Sequence, residues 1–180
     1  RIIIHEKVFN KFQKMLVNKT KKLRLGNGLS KSTDIGPLIN KSALEKSYKY
    51  VDIGKQEGAK LLCGGEGVKG KGFFFKPTIF TSVKPDLRIA QEEIFGPITV
   101  LIKIKNIDEA IKVCNGIRYG LSSAIYTENI DYMNEFTFTY KFVDILNFLK
   151  DGKTSLDKVY TFYYGDDGLD LFKELYQNQK

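Results

Sequence analysis

The chain has 180 residues, of which 42% are apolar, and it carries a formal net charge of +8. This length suits one soluble globular domain, and no apolar run approaches the ~20 residues of a membrane span, so we expect no membrane partner. The only cysteines are Cys63 and Cys114, which indicates neither a disulfide framework nor a four-cysteine zinc site and predicts a reduced, cytoplasmic protein.

The first half of the chain alternates strand and helix signals. The β-branched run Ile2–His5 predicts a buried strand, and apolar residues at helical spacing predict a helix over residues 8–23. Residues 25–40 are dense in Gly, Ser, Asn and Asp and predict a long loop. A second helix is expected over residues 42–57, stopped by Gly58. Two extended segments follow, a short one around Cys63 and a longer one at residues 73–80.

The second half continues this alternation. The apolar run at residues 98–105 is the clearest buried strand, with its centre at 100–104, and Asn106 is the predicted N-cap of a helix that ends near Asn115. Residues 122–126 predict another strand, and a further helix begins near Asn129. From Thr137 the pattern is less regular, although residues 143–148 still predict a strand.

This order of elements predicts an α/β fold, a mostly parallel open sheet with flanking helices. We divide the chain into a body, residues 1–136, and a divergent carboxy-terminal tail, residues 137–180, packed on the same domain.

The positive charge alone does not favour nucleic acid as a partner. Lysines are dense over residues 7–31, but they alternate with Val8, Phe12 and Leu16, as expected for the solvated face of an amphipathic helix. The sequence shows none of the usual nucleic-acid-binding motifs. A binding module that uses this basic face remains an alternative.

Three features that could carry chemistry favour structural roles. Gly65, Gly67 and Gly70 match the dinucleotide fingerprint, but an extended segment with a proline follows them instead of a helix, so we predict a connecting loop. His5 is the only histidine and closes a strand, without a nucleophile motif beside it. Cys63 and Cys114 are expected to be buried and unreactive. We predict no metal ligand.

The stretch QEEIFGP at residues 91–97 places two adjacent carboxylates before an aromatic ring and a Gly-Pro pair. Neighbouring side chains on an extended backbone point to opposite sides. Only one of Glu92 and Glu93 can therefore face a given site.

Five stretches, in this order, together resemble the carboxy-terminal half of the catalytic domain of the aldehyde dehydrogenase superfamily. They are DIGPLIN, GKQEGAKLLCGG, GFFFKPTIF, QEEIFGP and NGIRYGLSSAIYT, and the resemblance runs from Arg1 to about Phe136. It implies a partial aldehyde dehydrogenase catalytic domain and, by family, NAD or NADP as cofactor.

The resemblance assigns roles within residues 91–97. The family carboxylate at the position of Glu93 bonds the hydroxyls of the nicotinamide ribose, and the aromatic residue at the position of Phe95 packs against the nicotinamide. Glu92 is then the structural neighbour. A carboxylate accepts hydrogen bonds only, which suits a vicinal diol. Because the rest of the family's cofactor site lies elsewhere in its fold, Glu93 and Phe95 form a vestigial nicotinamide-ribose half-site, and we expect no binding of the cofactor by this chain alone.

The resemblance assigns no catalytic residue to this sequence. The family's nucleophilic cysteine lies a few residues before the position of Arg1, and its general-base glutamate and NAD domain lie earlier still. A thiohemiacetal needs that thiolate, so we expect an aldehyde dehydrogenase fragment or degenerate homologue that is inactive as an isolated chain. The alternative is one subunit of a split enzyme. The expected partner is a second copy, forming a dimer, or the missing amino-terminal half.

Overall fold

The structure is a computed structural model, and it describes residues 1–120 and 122–139. Strands and helices alternate along the described chain. They are β1 (Ile2–His5), α1 (Glu6–Thr20), α2 (Lys41–Gln56), β2 (Lys60–Cys63), β3 (Thr78–Thr81), α3 (Arg88–Gln91), β4 (Ile98–Ile104), α4 (Ile107–Asn115) and α5 (Ile130–Thr139).

The strands form one sheet in the order β1-β4-β3-β2. β4 pairs in parallel with β1, with Ile3 opposite Ile102, and with β3, with Phe80 opposite Val100. Only the β2–β3 pair is antiparallel. The mostly parallel open sheet with flanking helices confirms the predicted α/β fold.

The central strand β4 is buried on both faces, which explains its nearly continuous apolar sequence. Alternate residues enter different clusters: Val100 and Ile102 pack on the side of α2, α3 and α4, whereas Leu101 packs with Phe9 of α1. Leu101 is fully buried. Since strand side chains alternate between faces, β4 packs against helices on both sides of the sheet.

Side chains cap several of the described helices. Asn106 accepts a hydrogen bond from the Glu109 backbone N–H (2.9 Å) and caps α4 as predicted, and Asn40 accepts from Ala43 (2.9 Å) at the start of α2. The Nδ1 atom of His5 accepts from the Lys7 N–H (3.2 Å) at the start of α1. The lone histidine thus has the structural role that its position predicts.

The predicted strand at residues 122–126 is wrong. The structure assigns no strand to these residues, although their exposure alternates, and Tyr126 is 97% exposed. Strand preference depends on packing against neighbours, so an alternating pattern does not by itself make a strand. The predicted strand at residues 143–148 lies outside the described residues.

The predicted burial of both cysteines is also wrong, because each is only half-buried. Cys63 ends β2, a short strand at the end of the described sheet, where one side of the strand lacks a described neighbour. Cys114 lies in the last turn of α4, a helix that buries only Val113 completely. An apolar pattern predicts the inward face of an element, and the depth of burial depends on what covers that face.

The chain divides into two compact units, Arg1–Gly116 and a second that begins at Ile117. The first holds the whole described sheet, and the second includes α5. Among the described helices, none combines the length and apolar character needed to cross a bilayer. The division into residues 1–136 and 137–180 stays a prediction.

Candidate functional site

The candidate site is the segment at residues 91–97, which leads from the one-turn helix α3 into the central strand β4. Helix α2 packs beside it. At Glu92 the backbone turns from helix to an extended conformation (φ −105°, ψ 146°). Because consecutive side chains on extended backbone point in opposite directions, Glu92 and Glu93 face different environments.

Glu92 is held by two elements. The Tyr50 hydroxyl of α2 donates to its Oε2 (2.6 Å), and Arg88 of α3 donates from Nε and Nη2 to its two oxygens (2.8 and 3.1 Å). The Arg88–Glu92 hydrogen bond and ion pair raise the pKa of the guanidinium above its ordinary value. Glu92 is therefore the structural member of the acidic pair, as the family resemblance implies.

Glu93 presents its carboxylate to solvent. The residue is exposed, and its backbone carbonyl accepts a hydrogen bond from Lys46 Nζ of α2 (3.0 Å). The contact through the main chain fixes the position of Glu93 and leaves the side chain available to a ligand.

Phe95 is the unusual residue of the segment. Its ring is 82% exposed, and its φ of +53° lies in the left-handed region, which costs a non-glycine residue about 1–2 kcal/mol. The ammonium of Lys46 lies 5.7 Å from the ring centroid. A bulky side chain in a strained backbone position marks a site that merits a functional explanation.

Gly96 and Pro97 anchor the far end of the segment. A Cβ on Gly96 would lie 2.7 Å from the Oγ of Ser47, so a close approach to α2 requires glycine here. The Pro97 carbonyl accepts from the Thr78 N–H (2.8 Å) and ties the turn to β3. Ser47 is only 1% exposed, so there is little room for the turn to move inward.

Glu57, the C-cap residue that follows α2, contacts the first residue of α3. Its carboxylate accepts from the Arg88 backbone N–H (3.0 and 3.3 Å to the two oxygens) and so occupies the capping position of α3, whose own N-cap residue, Leu87, makes no side-chain cap bond. A carboxylate at a helix amino terminus is favoured by the free N–H groups and the helix dipole.

Sequence reasoning named Glu93 and Phe95, and the structure places both on the exposed side of this segment. It missed Tyr50, Lys46 and Arg88. The spacing of Arg88 and Glu92 is a helical i,i+4 pair and could have been found. The contacts of Lys46 and Tyr50, by contrast, join positions more than forty residues apart, which one sequence does not connect.

The two cysteines are both free thiols and half-buried. Burial raises the pKa of the Cys63 thiol, which disfavours the reactive thiolate. Residues 65–70 form a loop, with Gly67 bridged to Phe75, and no helix opens after them, as predicted. In residues 1–120 and 122–139, no group of three or more His, Cys, Asp or Glu side chains is placed to hold a metal ion.

Sequence comparison finds a family match over most of the chain. The aldehyde dehydrogenase family profile matches residues 1–143. Aldehyde dehydrogenase X, mitochondrial, from Bos taurus is 42% identical over 134 residues, which are 74% of this chain and 26% of the relative. The alpha-ketoglutaric semialdehyde dehydrogenase of Bacillus subtilis is 41% identical over 140 residues, 76% of this chain and 29% of that protein. The chain spans about a quarter of the length of these relatives.

Solved structures agree with the sequence relatives. The NAD+ complex of an aldehyde dehydrogenase from Bacillus cereus superposes with a TM-score of 0.76 and 37% identity, covering 78% of this chain and 29% of that one. Betaine aldehyde dehydrogenase from Staphylococcus aureus in complex with NAD+ gives a TM-score of 0.76 at 33% identity, with coverage of 78% and 29%. Both similarities extend over the greater part of this chain.

Proposed function

Because the chain belongs to the aldehyde dehydrogenase family, we propose that its Glu93 and Phe95 form the nicotinamide-ribose side of an NAD(P)-dependent oxidation of an aldehyde to a carboxylic acid. The observation that carries the proposal is the division of the acidic pair. Glu92 is bonded inward by Tyr50 and Arg88, whereas Glu93 is exposed beside the strained, exposed Phe95.

The residues present fit a nicotinamide nucleotide. A carboxylate only accepts hydrogen bonds, so Glu93 can take both hydroxyls of a ribose diol. The Phe95 ring offers an exposed aromatic face of the kind on which a planar ring stacks. When bound, the nicotinamide is the group that accepts a hydride. The choice between NAD and NADP rests on contacts outside these two residues.

We propose further that a polypeptide of these 180 residues does not oxidise aldehydes by itself. The family mechanism needs a cysteine thiolate, whereas the two cysteines here are half-buried and burial raises the pKa of the Cys63 thiol. One charge-assisted hydrogen bond contributes about 1.5–3 kcal/mol. Millimolar affinity already requires about 4 kcal/mol. Two contacting residues are therefore too few for tight cofactor binding.

Calorimetric titration of NAD and NADP into the purified 180-residue chain tests this directly. We expect no saturation at millimolar cofactor and no NADH production with any aldehyde. Addition of a separately produced amino-terminal part of the Bacillus cereus enzyme should give turnover if the parts assemble, which is the behaviour of a split enzyme. Low-micromolar affinity of the chain alone would contradict the proposal.

We propose that the partner is a second copy or the amino-terminal part of such an enzyme. The support is an apolar stripe on α1, where Val8, Phe12 and Met15 share one exposed face at helical spacing. Light scattering should give a dimer for the isolated chain, and Phe12→Glu should shift it toward monomer. A wild-type monomer that does not bind the amino-terminal part would contradict the proposed partner.

The cytoplasm remains the compartment that we propose. Its support is the low cysteine content, with neither cysteine in a disulfide. The bovine relative carries the designation mitochondrial, so fractionation of cells that express the tagged protein should compare these two compartments. Recovery with the mitochondrial fraction would contradict the proposal.

A further inference from the structure

The hydrogen bonds to Glu92 fix the direction of Glu93. The backbone at Glu92 is extended, so an inward Glu92 side chain turns the next side chain outward. A rotation of the main chain that carried the Glu92 carboxylate away from Tyr50 would also turn the Glu93 side chain. The two carboxylates are therefore coupled through one stretch of main chain.

The two residues that bond Glu92 are themselves held in fixed positions. Tyr50 is 8% exposed and packs in the main core cluster, so its hydroxyl approaches from a rigid surface. Arg88 grips both carboxylate oxygens with a planar fork, and its own N–H is fixed by Glu57. Through these contacts, both Tyr50 and Arg88 fix the position of the segment relative to helix α2.

The strain at Phe95 requires such anchoring. A left-handed Phe persists only where the surroundings determine its backbone from both sides. On the far side, the close approach of Gly96 to Ser47 and the Pro97–Thr78 hydrogen bond supply the constraint. On the near side, the constraint comes from Glu92 and from the Lys46 contact to the Glu93 carbonyl.

We propose that Tyr50 and Arg88 are positioning residues that act through Glu92 to hold Glu93 and Phe95 in the orientation that a nicotinamide ribose requires. The proposal rests on the proposed function, and it goes beyond the family resemblance, from which only Glu93 and Phe95 received ligand roles. Tyr50 and Arg88 need not touch the cofactor, since their hydrogen bonds end on Glu92.

Tyr50→Phe is the most selective test, because it removes one hydroxyl and keeps the buried ring. Its matched control is Tyr48→Phe on the same helix, whose hydroxyl accepts from the Gly67 N–H (2.9 Å) in the loop at residues 65–70 and not from the acidic pair. Glu92→Ala removes both anchors, and Glu92→Gln keeps an oxygen that can accept from Tyr50.

Hydrogen exchange reports the segment without any cofactor. The Glu92 amide donates to the Arg88 carbonyl (2.9 Å) and the Ile98 amide to that of Gly96 (2.8 Å), so these amides flank the segment. Exchange at both should accelerate about three- to tenfold in Tyr50→Phe and more in Glu92→Ala, with Glu92→Gln between wild type and Glu92→Ala. Tyr48→Phe should leave both rates unchanged.

The NMR signals of Lys46 supply a second reporter. Its ammonium lies 5.7 Å from the centroids of both the Tyr50 and the Phe95 rings. Tyr50→Phe retains the first ring, so a changed ring-current shift at Lys46 reports movement of Phe95. Equal exchange rates and equal Lys46 shifts in Tyr50→Phe and Tyr48→Phe would overturn the inference.

Cofactor kinetics separate this inference from the function on which it rests. In a complete enzyme assembled with the amino-terminal part of a relative, Tyr50→Phe should raise KM for the cofactor, and Tyr48→Phe should not. If Glu93→Gln raises KM and Tyr50→Phe does not, the positioning role is overturned. If Glu93→Gln leaves KM unchanged, the proposed function fails, while the exchange and NMR results still decide whether Tyr50 orders the segment.

Discussion

Phe95 combines an exposed ring with a left-handed backbone, and neither feature helps the chain to fold. Of the described residues other than glycine, only Ser82 shares a positive φ. Ligand-binding segments retain backbone strain of this kind because the strained conformation already matches the one that binds the ligand. The exposure of Phe95 is therefore consistent with a surface that a planar ligand covers.

Phe95→Gly should raise the free energy of unfolding by about 1 kcal/mol, because glycine adopts positive φ without strain. The lost ring is 82% exposed, so little buried area disappears with it. Urea unfolding measures the change. Leu29→Gly is the control, since Leu29 is 94% exposed and does not have a positive φ; it should lower stability. Equal losses in both variants would contradict a strained Phe95.

The acidic pair shows how far residue-level prediction reached. Adjacency alone predicts that Glu92 and Glu93 face opposite sides, and the structure confirms it. Which one faces outward depended on the family resemblance. The partners of Glu92 could not be predicted fully, because Tyr50 is distant in sequence and meets it only through the packing of α2 on the segment.

The titration of Asp34 should affect how the free energy of unfolding depends on pH. Arg24 donates to it from Nε, Nη2 and its backbone N–H, and these hydrogen bonds lower the pKa of Asp34 to about 2 from its ordinary 3.8. A depressed folded-state pKa stabilises the protein above pH 3.8, and the contribution disappears as the pH falls through about 2.

Asp34→Asn should therefore flatten the fall in unfolding free energy across that acidic window, and Arg24→Gln should flatten it in the same way. Urea unfolding at a series of pH values measures the slope. A slope in Asp34→Asn equal to that of the wild type would show that the pair contributes nothing to acid sensitivity.

At the scale of elements, local signals predicted the helices well and the strands less evenly. Asn106 was identified as a cap from its position before a periodic apolar run, and β1 and β4 from continuous apolar sequence. Residues 122–126 show the limit of that reasoning, because their alternating pattern is not assigned as a strand. The antiparallel placement of β2 likewise depends on contacts that a local pattern does not contain.

The cap of α4 gives a prediction at this scale. Asn106→Ala should lower the free energy of unfolding by about 1 kcal/mol, because the Glu109 N–H loses its acceptor. Asn10→Ala is the control, an exposed position inside α1 where alanine favours the helix, so it should be neutral or slightly stabilising. Thermal unfolding of both variants decides. Equal stability of Asn106→Ala and wild type would contradict the capping role.

At the scale of the whole molecule, the sheet of the first unit is the scaffold that carries the site. Alternate side chains of β4 pack into two separate core clusters, which hold the strand rigidly. The segment at residues 91–97 leads directly into this strand. A residue just before a buried central strand is held in a well-defined position by the packing of that strand. The fold class followed from the order of elements, whereas the strand order and the packing of α2 on the segment required the structure.

The dissociation constant of NAD in a complete enzyme that carries residues 1–143 tests the central claim most directly. Calorimetry on wild type, Glu93→Gln and the control Glu128→Gln, an exposed carboxylate of the second unit, measures it. Loss of a charged acceptor for two ribose hydroxyls should weaken NAD binding by at least about tenfold in Glu93→Gln. Glu128→Gln should leave it unchanged. A Glu93→Gln enzyme that binds NAD as tightly as the wild type would contradict the account.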